Sequence, residues 1–404
     1  MSTSILYHGF GARGYRYLKT EYRKGELIFH IELDPKRRRC VHCGSRHVTK
    51  KGRSSRKIRA VPIGTKKVFL RVHLHRLLCK ECGSLKLEPL VLSFPKKQWT
   101  KSLGRYAVEL LKRTTVEDVA RHLGMSWDTV KEIHLWALRK KFKKRKLNRL
   151  THIGVDEIAV RKGHSYLTVV VDLGTGEVVW VAEGRQSSSL EGFMRKLKRK
   201  GVELEAIAMD MWPAYIKAVK KYYPEELIVF DRYHIIQECN RMLDELRREE
   251  ASKASLREKR EVYRGVRYLL LKGGEKIEGN VEAKQKLDRL LALNESLNTG
   301  YILKEELRNL WNCSNREEAK EYLENWLIKA WSSEVKLLAK FANTLSAHHK
   351  GILNYFDHRI TTGPVEGINN KIKVLKRQAY GYHDQEYFKL RIFFIHAPRY
   401  ALIG

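Results

Sequence analysis

Two C-x2-C pairs, Cys40 and Cys43 in "CVHC" and Cys79 and Cys82 in "CKEC", constrain this 404-residue chain more than any other feature. Each pair turns tightly enough for two thiolates to face one ion, and two pairs complete a tetrahedral site. A glycine follows each pair, Gly44 and Gly83, as a tight knuckle favours. In the intervening "VFLRVHLHRL", Val68, Leu70, Val72 and Leu74 alternate with Phe69, Arg71, His73 and His75, which is strand periodicity. Strands joining two knuckles predict a zinc ribbon holding one structural Zn2+. His42, His73 and His75 are the alternative ligands, and a disulfide or redox pair is the alternative chemistry. The start, "MSTSILYHGF", lacks the pattern of a secretory leader. No apolar run approaches the roughly 18 residues of a membrane helix. A soluble, cytoplasmic chain is therefore expected, and disulfides are disfavoured in that compartment. Cys239 and Cys313 have no partner at such spacing and read as ordinary thiols.

The formal charge of +34 is unevenly spread. Residues 1–150 hold 38 Lys and Arg against 11 Asp and Glu, a net of +27, and residues 151–404 carry the other +7. A solvated, highly charged surface would not concentrate the excess in one third of the chain. A polyanion binder would. Within that third, "TTVEDVARHLGMSWDTVKEIHLWALRKKFKKRK" puts Val116, Val119, Ala120 and Leu123 on one helical face. Gly124 sits at the turn and Ser126 can cap a second helix, whose apolar face is expected to include Val130, Ile133 and Trp136–Ala137. This is a helix-turn-helix pattern. Trp127, Asp128, Thr129 and Lys131 fall on the exposed first turns of the recognition helix, and Trp127, Thr129 and Lys131 are the candidate DNA contacts. The run 140–146 reads as a phosphate-facing helix end or linker.

The remainder begins with three strands in "THIGVDEIAVRKGHSYLTVVVDLGTGEVVWVAEG". A capped helix follows, then the short strand "LEAIAMDMW", a helix opened by Pro213, and the strand "LIVFDRYH". That order is ribonuclease H-like. It makes the first and fourth strands neighbours, so Asp156 and Asp210 should face each other. Two carboxylates at a nearly dry strand end repel, and a divalent cation relieves them. Glu366, in "TTGPVEGINNKIKVLKR", is the only acid between Asp357 and Asp384. It reads either as a dipole-stabilised acid at a helix start or as a third metal ligand among DNA-steering cations. Residues 240–350 are helical in pattern and predict an all-helical insertion. Trp311, Trp326 and Trp331 within it read as core. The expected domains are 1–95 (zinc ribbon), 96–149 (helix-turn-helix) and 150–404 (catalytic, with the insertion). The fold class is α/β: a ribonuclease H-like mixed sheet with an all-helical insertion, preceded by the two DNA-binding modules.

The motifs "CVHC", "IGVDEIAVRKGHSYLTVVVD", "AIAMDMWPAY", "VFDRYHI" and "TTGPVEGINNKIKVLKRQAYGYHD" together resemble the DDE transposases of the ISL-three insertion-sequence family. That resemblance implies a catalytic triad of Asp156, Asp210 and Glu366 with two Mg2+ (or Mn2+). It implies secondary site residues Asp231 and His234 in a D-x2-H element. Lys373 would meet a transposon-end phosphate, with Lys371, Lys376 and Arg377 beside it. The implied partner is double-stranded DNA, at element ends and target, bound by a homodimer or higher oligomer. The insertion would contact flanking or hairpin DNA. Two other classes use the same parts: a structure-specific nuclease without strand transfer, and a DNA-binding regulator with an inactive catalytic domain. No G-x4-G-K-[ST] loop occurs, so no ATP requirement is read.

Overall fold

Residues 5–143, 147–161, 165–258 and 262–395 are described in a computed structural model of the chain. Part of the expected basic linker, 144–146, lies outside them, as do residues 1–4 of the N-terminal segment. Contacts divide the chain into residues 1–144 with 376–404, and residues 145–375.

In the first unit, β1 (Tyr15–Arg23), β2 (Glu26–Leu33), β3 (Val48–Ile63) and β4 (Lys66–Cys79) form a sheet in the order β1-β2-β4-β3, and β5 (Leu85–Leu87) also pairs with β4. The alternation expected on β4 is present: Val68, Leu70, Val72 and Leu74 are all at most 1% exposed. Each such side chain stabilises the sheet by about 1.5–3 kcal/mol. β3 is an edge strand carrying exposed Lys50, Lys51, Arg53 and Lys57, charges that oppose further strand addition.

Helices α1 (Lys101–Leu110), α2 (Val116–Leu123) and α3 (Trp127–Phe142) follow. Thr115 and Asp118 form a capping box on α2, Gly124 turns the chain at φ 57°, and Ser126 caps α3. The helix-turn-helix is therefore built on the signals read from sequence. Its inward face differs in one respect. Val130, Ile133, His134 and Leu138 are buried, whereas Trp136, expected to face inward, is 44% exposed. The spacing i, i+3, i+4, i+8 turns the buried stripe away from Trp136. His134 can take the inner place because Tyr387 Oη lies 2.8 Å from its Nδ1.

The second unit opens with β6 (His152–Arg161), β7 (Ser165–Asp172) and β8 (Val178–Glu183), then α4 (Ser187–Arg199), β9 (Ala206–Met209), α5 (Pro213–Lys220) and β10 (Ile228–Phe230). The sheet order is β10-β9-β6-β7-β8. β6–β7 and β7–β8 are antiparallel, while β6–β9 and β9–β10 are parallel. This is the expected ribonuclease H-like order, with the first and fourth strands adjacent. Helix α6 (Arg232–Lys253) leaves β10 directly. A helical region including α7 (Val281–Leu293), α8 (Glu295–Asn309), α9 (Arg316–Trp331) and α10 (Lys336–Ala347) leads to α11 (Gly363–Gln378). Trp326 is 1% and Trp311 8% exposed, as core residues should be. Trp331 instead is 44% exposed and donates its Nε1–H to Asn343 Oδ1 at 2.9 Å.

One glycine fixes how α11 meets the sheet. A Cβ on Gly154 would lie 2.5 Å from Val365 Cγ2 and 3.0 Å from Leu173 Cδ2. Only a residue without a side chain lets the first turn of α11 reach β6 two residues before Asp156. The last helix, α12 (Gln385–Phe394), belongs to the first unit, where it packs on α3.

Candidate active site and DNA-binding surfaces

The two cysteine knuckles converge. Cys40 Sγ is 3.5 Å from Cys82 Sγ, and Cys43 Sγ is 3.6 Å from Cys79 Sγ. All four sulfurs lie within 4.8 Å of one another. These spacings are far too long for S–S bonds and match the edge of about 3.8 Å of a tetrahedron with Zn–S bonds near 2.3 Å. The Cys43 and His42 amides approach Cys40 Sγ at 3.5 and 3.4 Å. The Cys43 amide contributes most to holding the Cys40 thiol down to about 6. The donor set thus fits one structural zinc. The alternative ligands His73 and His75 are occupied elsewhere: His73 Nε2 lies 3.1 Å from His30 Nδ1, and His75 Nε2 lies 3.3 Å from Glu32 Oε2. His42 meets the cluster through its backbone alone among the contacts described. Cys239 and Cys313 are buried apart from it, and burial pushes the Cys239 thiol up to about 12.

On the recognition helix, Trp127 is 44% exposed at the first turn. Thr129 is half-buried with its Oγ1 2.7 Å from Ser126 Oγ. Lys131 is held by Asp384, Nζ to Oδ2 2.9 Å, and lies over the rings of Trp127 and Tyr387. Arg139 makes a two-pronged pair with Glu386, at 3.1 and 2.9 Å. Helix α12 and its cap therefore fix Lys131 and Arg139 of α3, which periodicity within α3 could not reveal.

The acids of the second unit follow from sheet register. Ile153 pairs with Ile207 and Gly154 with Ala208. Two residues further on, the same register sets Asp156 across from Asp210. Asp156, Asp210 and His234 each bring a potential ligand atom within 4.8 Å of the others. His234 lies in the first turn of α6, which Asp231 caps through Tyr233 N at 2.7 Å. Burial, followed by the Asp210 charge, pushes the Asp156 carboxyl up to about 7. Burial, again with Asp210 next, also raises Glu157. Burial alone would lower the His234 imidazole, but its contact with Asp210 overrides this and the net direction is upward.

His234 Nε2 lies 2.9 Å from Asp210 Oδ1, yet that oxygen is buried without a well-aligned hydrogen-bond donor. The contact is close but poorly aligned. Two neighbouring carboxylates, one driven toward protonation by burial and the other with an imidazole nitrogen 2.9 Å away, suit a divalent cation.

Sequence reasoning missed Asn369. Its Nδ2 donates to Asp156 Oδ2 at 2.7 Å, and its Oδ1 is buried without a partner. The usable signal was its position on the helix three residues after Glu366, on the same face. Glu366 itself is exposed on the first turn of α11 and is not part of the three-residue group. Asp231 also lies outside the group. It is 3% exposed, and its Oδ2 accepts from Thr362 N at 2.7 Å, tying the start of α6 to the approach to α11. Asp172 shapes a turn through Gly174 N and Thr175 Oγ1. Lys371, Lys373 and Arg377 are exposed and Lys376 half-buried on α11.

Among the described residues, no helix is long and apolar enough to cross a membrane. Three family models match the chain. One described as "Transposase" spans residues 153–392. A "zinc-finger of transposase IS204/IS1001/IS1096/IS1165" spans 36–82, and a "Helix-turn-helix domain of transposase family ISL3" spans 95–133. The transposase for insertion sequence element IS1001 of Bordetella parapertussis is 33% identical over 390 residues, 95% of each chain. The transposase for insertion sequence element IS1557 of Mycobacterium tuberculosis is 27% identical over 382 residues, 86% of this chain and 83% of the relative. Among solved structures, the Drosophila P element transposase strand transfer complex aligns with a TM-score of 0.39 at 13% identity, over 72% of this chain and 91% of that one.

Proposed function

This chain belongs to the ISL-three (ISL3) family of DNA transposases, and from that premise we propose that it binds the terminal inverted repeats of an insertion sequence and carries out Mg2+-dependent cleavage and strand transfer. The observation that carries the proposal is the convergence of Asp156, Asp210 and His234, each with a potential ligand atom within 4.8 Å of the others. Asp156, Asp210 and Glu366 would hold the catalytic metal, Glu366 by swinging toward Asn369, its neighbour one turn along α11. Two bound Mg2+ or Mn2+ ions would supply Lewis-acid activation of water and stabilisation of the leaving 3′ oxygen.

The chain's own residues do the rest. Asn369 fixes the rotamer of Asp156. Asp231 anchors the helix start that presents His234 to Asp210. Lys371, Lys373, Lys376 and Arg377 engage DNA phosphates, and Trp127, Thr129 and Lys131 read the element end. After cleavage the freed 3′-OH replaces water as nucleophile. A P–O bond to target DNA forms as the target's own 3′ P–O bond breaks, so no energy cofactor is needed. Domains 1–95 and 96–149 would recognise DNA, and 150–404 would perform the chemistry. We place the reaction in the cytoplasm, on a homodimer or higher oligomer assembled on the two element ends.

The test is cleavage of a labelled element end with Mg2+ and a target plasmid. Asp156→Asn, Asp210→Asn and Glu366→Gln should abolish both products, while Asp172→Asn should cut normally. Cleavage without any joined product would turn the reading to a nuclease. Wild-type-like products from Asp156→Asn and Asp210→Asn would overturn it.

A further inference from the structure

Arg185 occupies a built position beside the acids that the chemistry above leaves unused. It follows β8 after Gly184, whose N–H donates to Tyr166 O at 2.8 Å with φ at 81°. The guanidinium carbon lies 4.3 Å from the Tyr166 ring centre and 4.9 Å from that of Trp212. Trp212 also donates its Nε1–H to Arg185 O at 2.9 Å. The rings come from the strand beside Asp156 and from the turn after Asp210. Trp212 is two residues past Asp210, and Tyr166 pairs with Ala159, three residues past Asp156. Two aromatic rings thus lie against the cation and help to hold it in place.

Among the described residues, the carboxylate that faces the hydrogen-bonding edge of Arg185 is Glu157, and the pair is long. Glu157 Oε1 is 3.7 Å from Arg185 Nη1, beyond hydrogen-bonding distance. Even at that length the Arg185 charge partly offsets the upward push of burial on the Glu157 carboxyl. An arginine serving only to neutralise Glu157 would close to about 2.7–2.9 Å. The arrangement instead leaves several N–H donors in fork geometry, which matches two oxygens of a phosphate. It also answers an electrostatic need. A DNA strand entering this site meets Asp156, Glu157 and Asp210, and a cation fixed beside them offsets that repulsion.

We propose that Arg185, held against Tyr166 and Trp212, is a phosphodiester-binding subsite that holds a DNA phosphate adjacent to the one cleaved. This rests on the reading of Asp156 and Asp210 as the cleavage site. Arg185 positions the strand and takes no part in bond making. The balance of charge and the planar fork favour a phosphodiester over a carboxylate ligand, since the chain acts on DNA.

The test is a scan of labelled element-end duplexes, each with one phosphate near the cleavage position replaced by an uncharged methylphosphonate. The full-length wild type is compared with Arg185→Ala, Arg185→Lys and Asp210→Asn. In the wild type, one replacement beside the cleaved bond should slow cutting by about 10- to 100-fold, the loss of one charge-assisted contact. Arg185→Ala should cut natural DNA more slowly by a similar factor and be indifferent to that replacement, and Arg185→Lys should recover part of both. The same scan read as binding affinity, with Ca2+ in place of Mg2+, tests the contact even if Arg185→Ala cannot cut. The proposal fails if Arg185→Ala keeps the wild-type interference pattern in both readouts. Normal cutting by Asp210→Asn would instead overturn the underlying reading of the acids.

Discussion

Replacing Asp156 by Asn should stabilise the protein in buffer without Mg2+ at pH 8 while destroying its activity. Burial and Asp210 hold the Asp156 carboxyl at about 7, against about 3.9 in an unfolded chain. A folded pKa above the unfolded one means the folded state keeps a proton that the unfolded state has lost. Stability therefore falls as pH rises from about 4 to about 7 and stays low above it. The full displacement corresponds to at most about 4 kcal/mol.

Asn removes the charge but leaves one acceptor oxygen where Asp156 has two. Both are in use, Oδ1 accepting from Glu157 N and Oδ2 from Asn369 Nδ2, each at 2.7 Å. One donor is left unmatched, at a cost of about 1–3 kcal/mol. The net gain is about 2 kcal/mol, or roughly 4–8 °C in Tm for a unit of this size. At pH 5 folded Asp156 holds its proton, so the gain disappears and the lost hydrogen bond leaves the variant no more stable than wild type. Added Mg2+ should raise the wild-type Tm at pH 8 by binding the folded state alone, and should leave Asp156→Asn nearly unmoved. Scanning calorimetry at the two pH values, with and without Mg2+, measures all four quantities. A variant less stable than wild type at pH 8 without Mg2+, or one with an equal Mg2+ response, would refute the reasoning.

Glu366→Gln should reduce cleavage by orders of magnitude and leave DNA affinity equal or higher, measured by gel cleavage and fluorescence anisotropy side by side; wild-type cutting would return Glu366 to a simple helix-start acid. One zinc per chain is expected by elemental analysis, and Cys40→Ser should lose it and loosen residues 36–90 to hydrogen exchange with the β6–β10 sheet unaffected; an unchanged zinc content would count against the four-cysteine site. Gly154→Ala should cost about 1–3 kcal/mol through its clash with Val365 and lower cleavage by displacing α11 from Asp156; an unaltered Tm and rate would remove the close-approach argument. Asp384→Ala, which removes the α12 cap and the partner of Lys131, should lower Tm by about 1 kcal/mol equivalent and change the sequence preference of DNA binding in a competition assay more than its salt dependence.

The sequence alone determined the parts whose chemistry is local. Cysteine spacing placed the knuckles, period-two alternation placed β4, and Thr115, Gly124 and Ser126 marked the ends of α2 and the start of α3. Strand order made Asp156 and Asp210 neighbours, because the register of two parallel strands is carried by their own apolar pattern. The partners of those residues were decided only by tertiary structure. Asn369 reaches Asp156 across 213 positions, and Tyr387 reaches His134 across 253. No periodicity spans such distances. Trp136 faces outward because α12 supplies a hydroxyl that lets His134 be buried. Lys131 is paired by Asp384 of a segment that sequence order assigned to the catalytic domain. Arg185 is held in place because a neighbouring strand and the turn after Asp210 bring Tyr166 and Trp212 against it. A chain writes its elements in neighbouring residues, but a site takes one side chain from each of several elements, and the packing of the fold selects which ones meet.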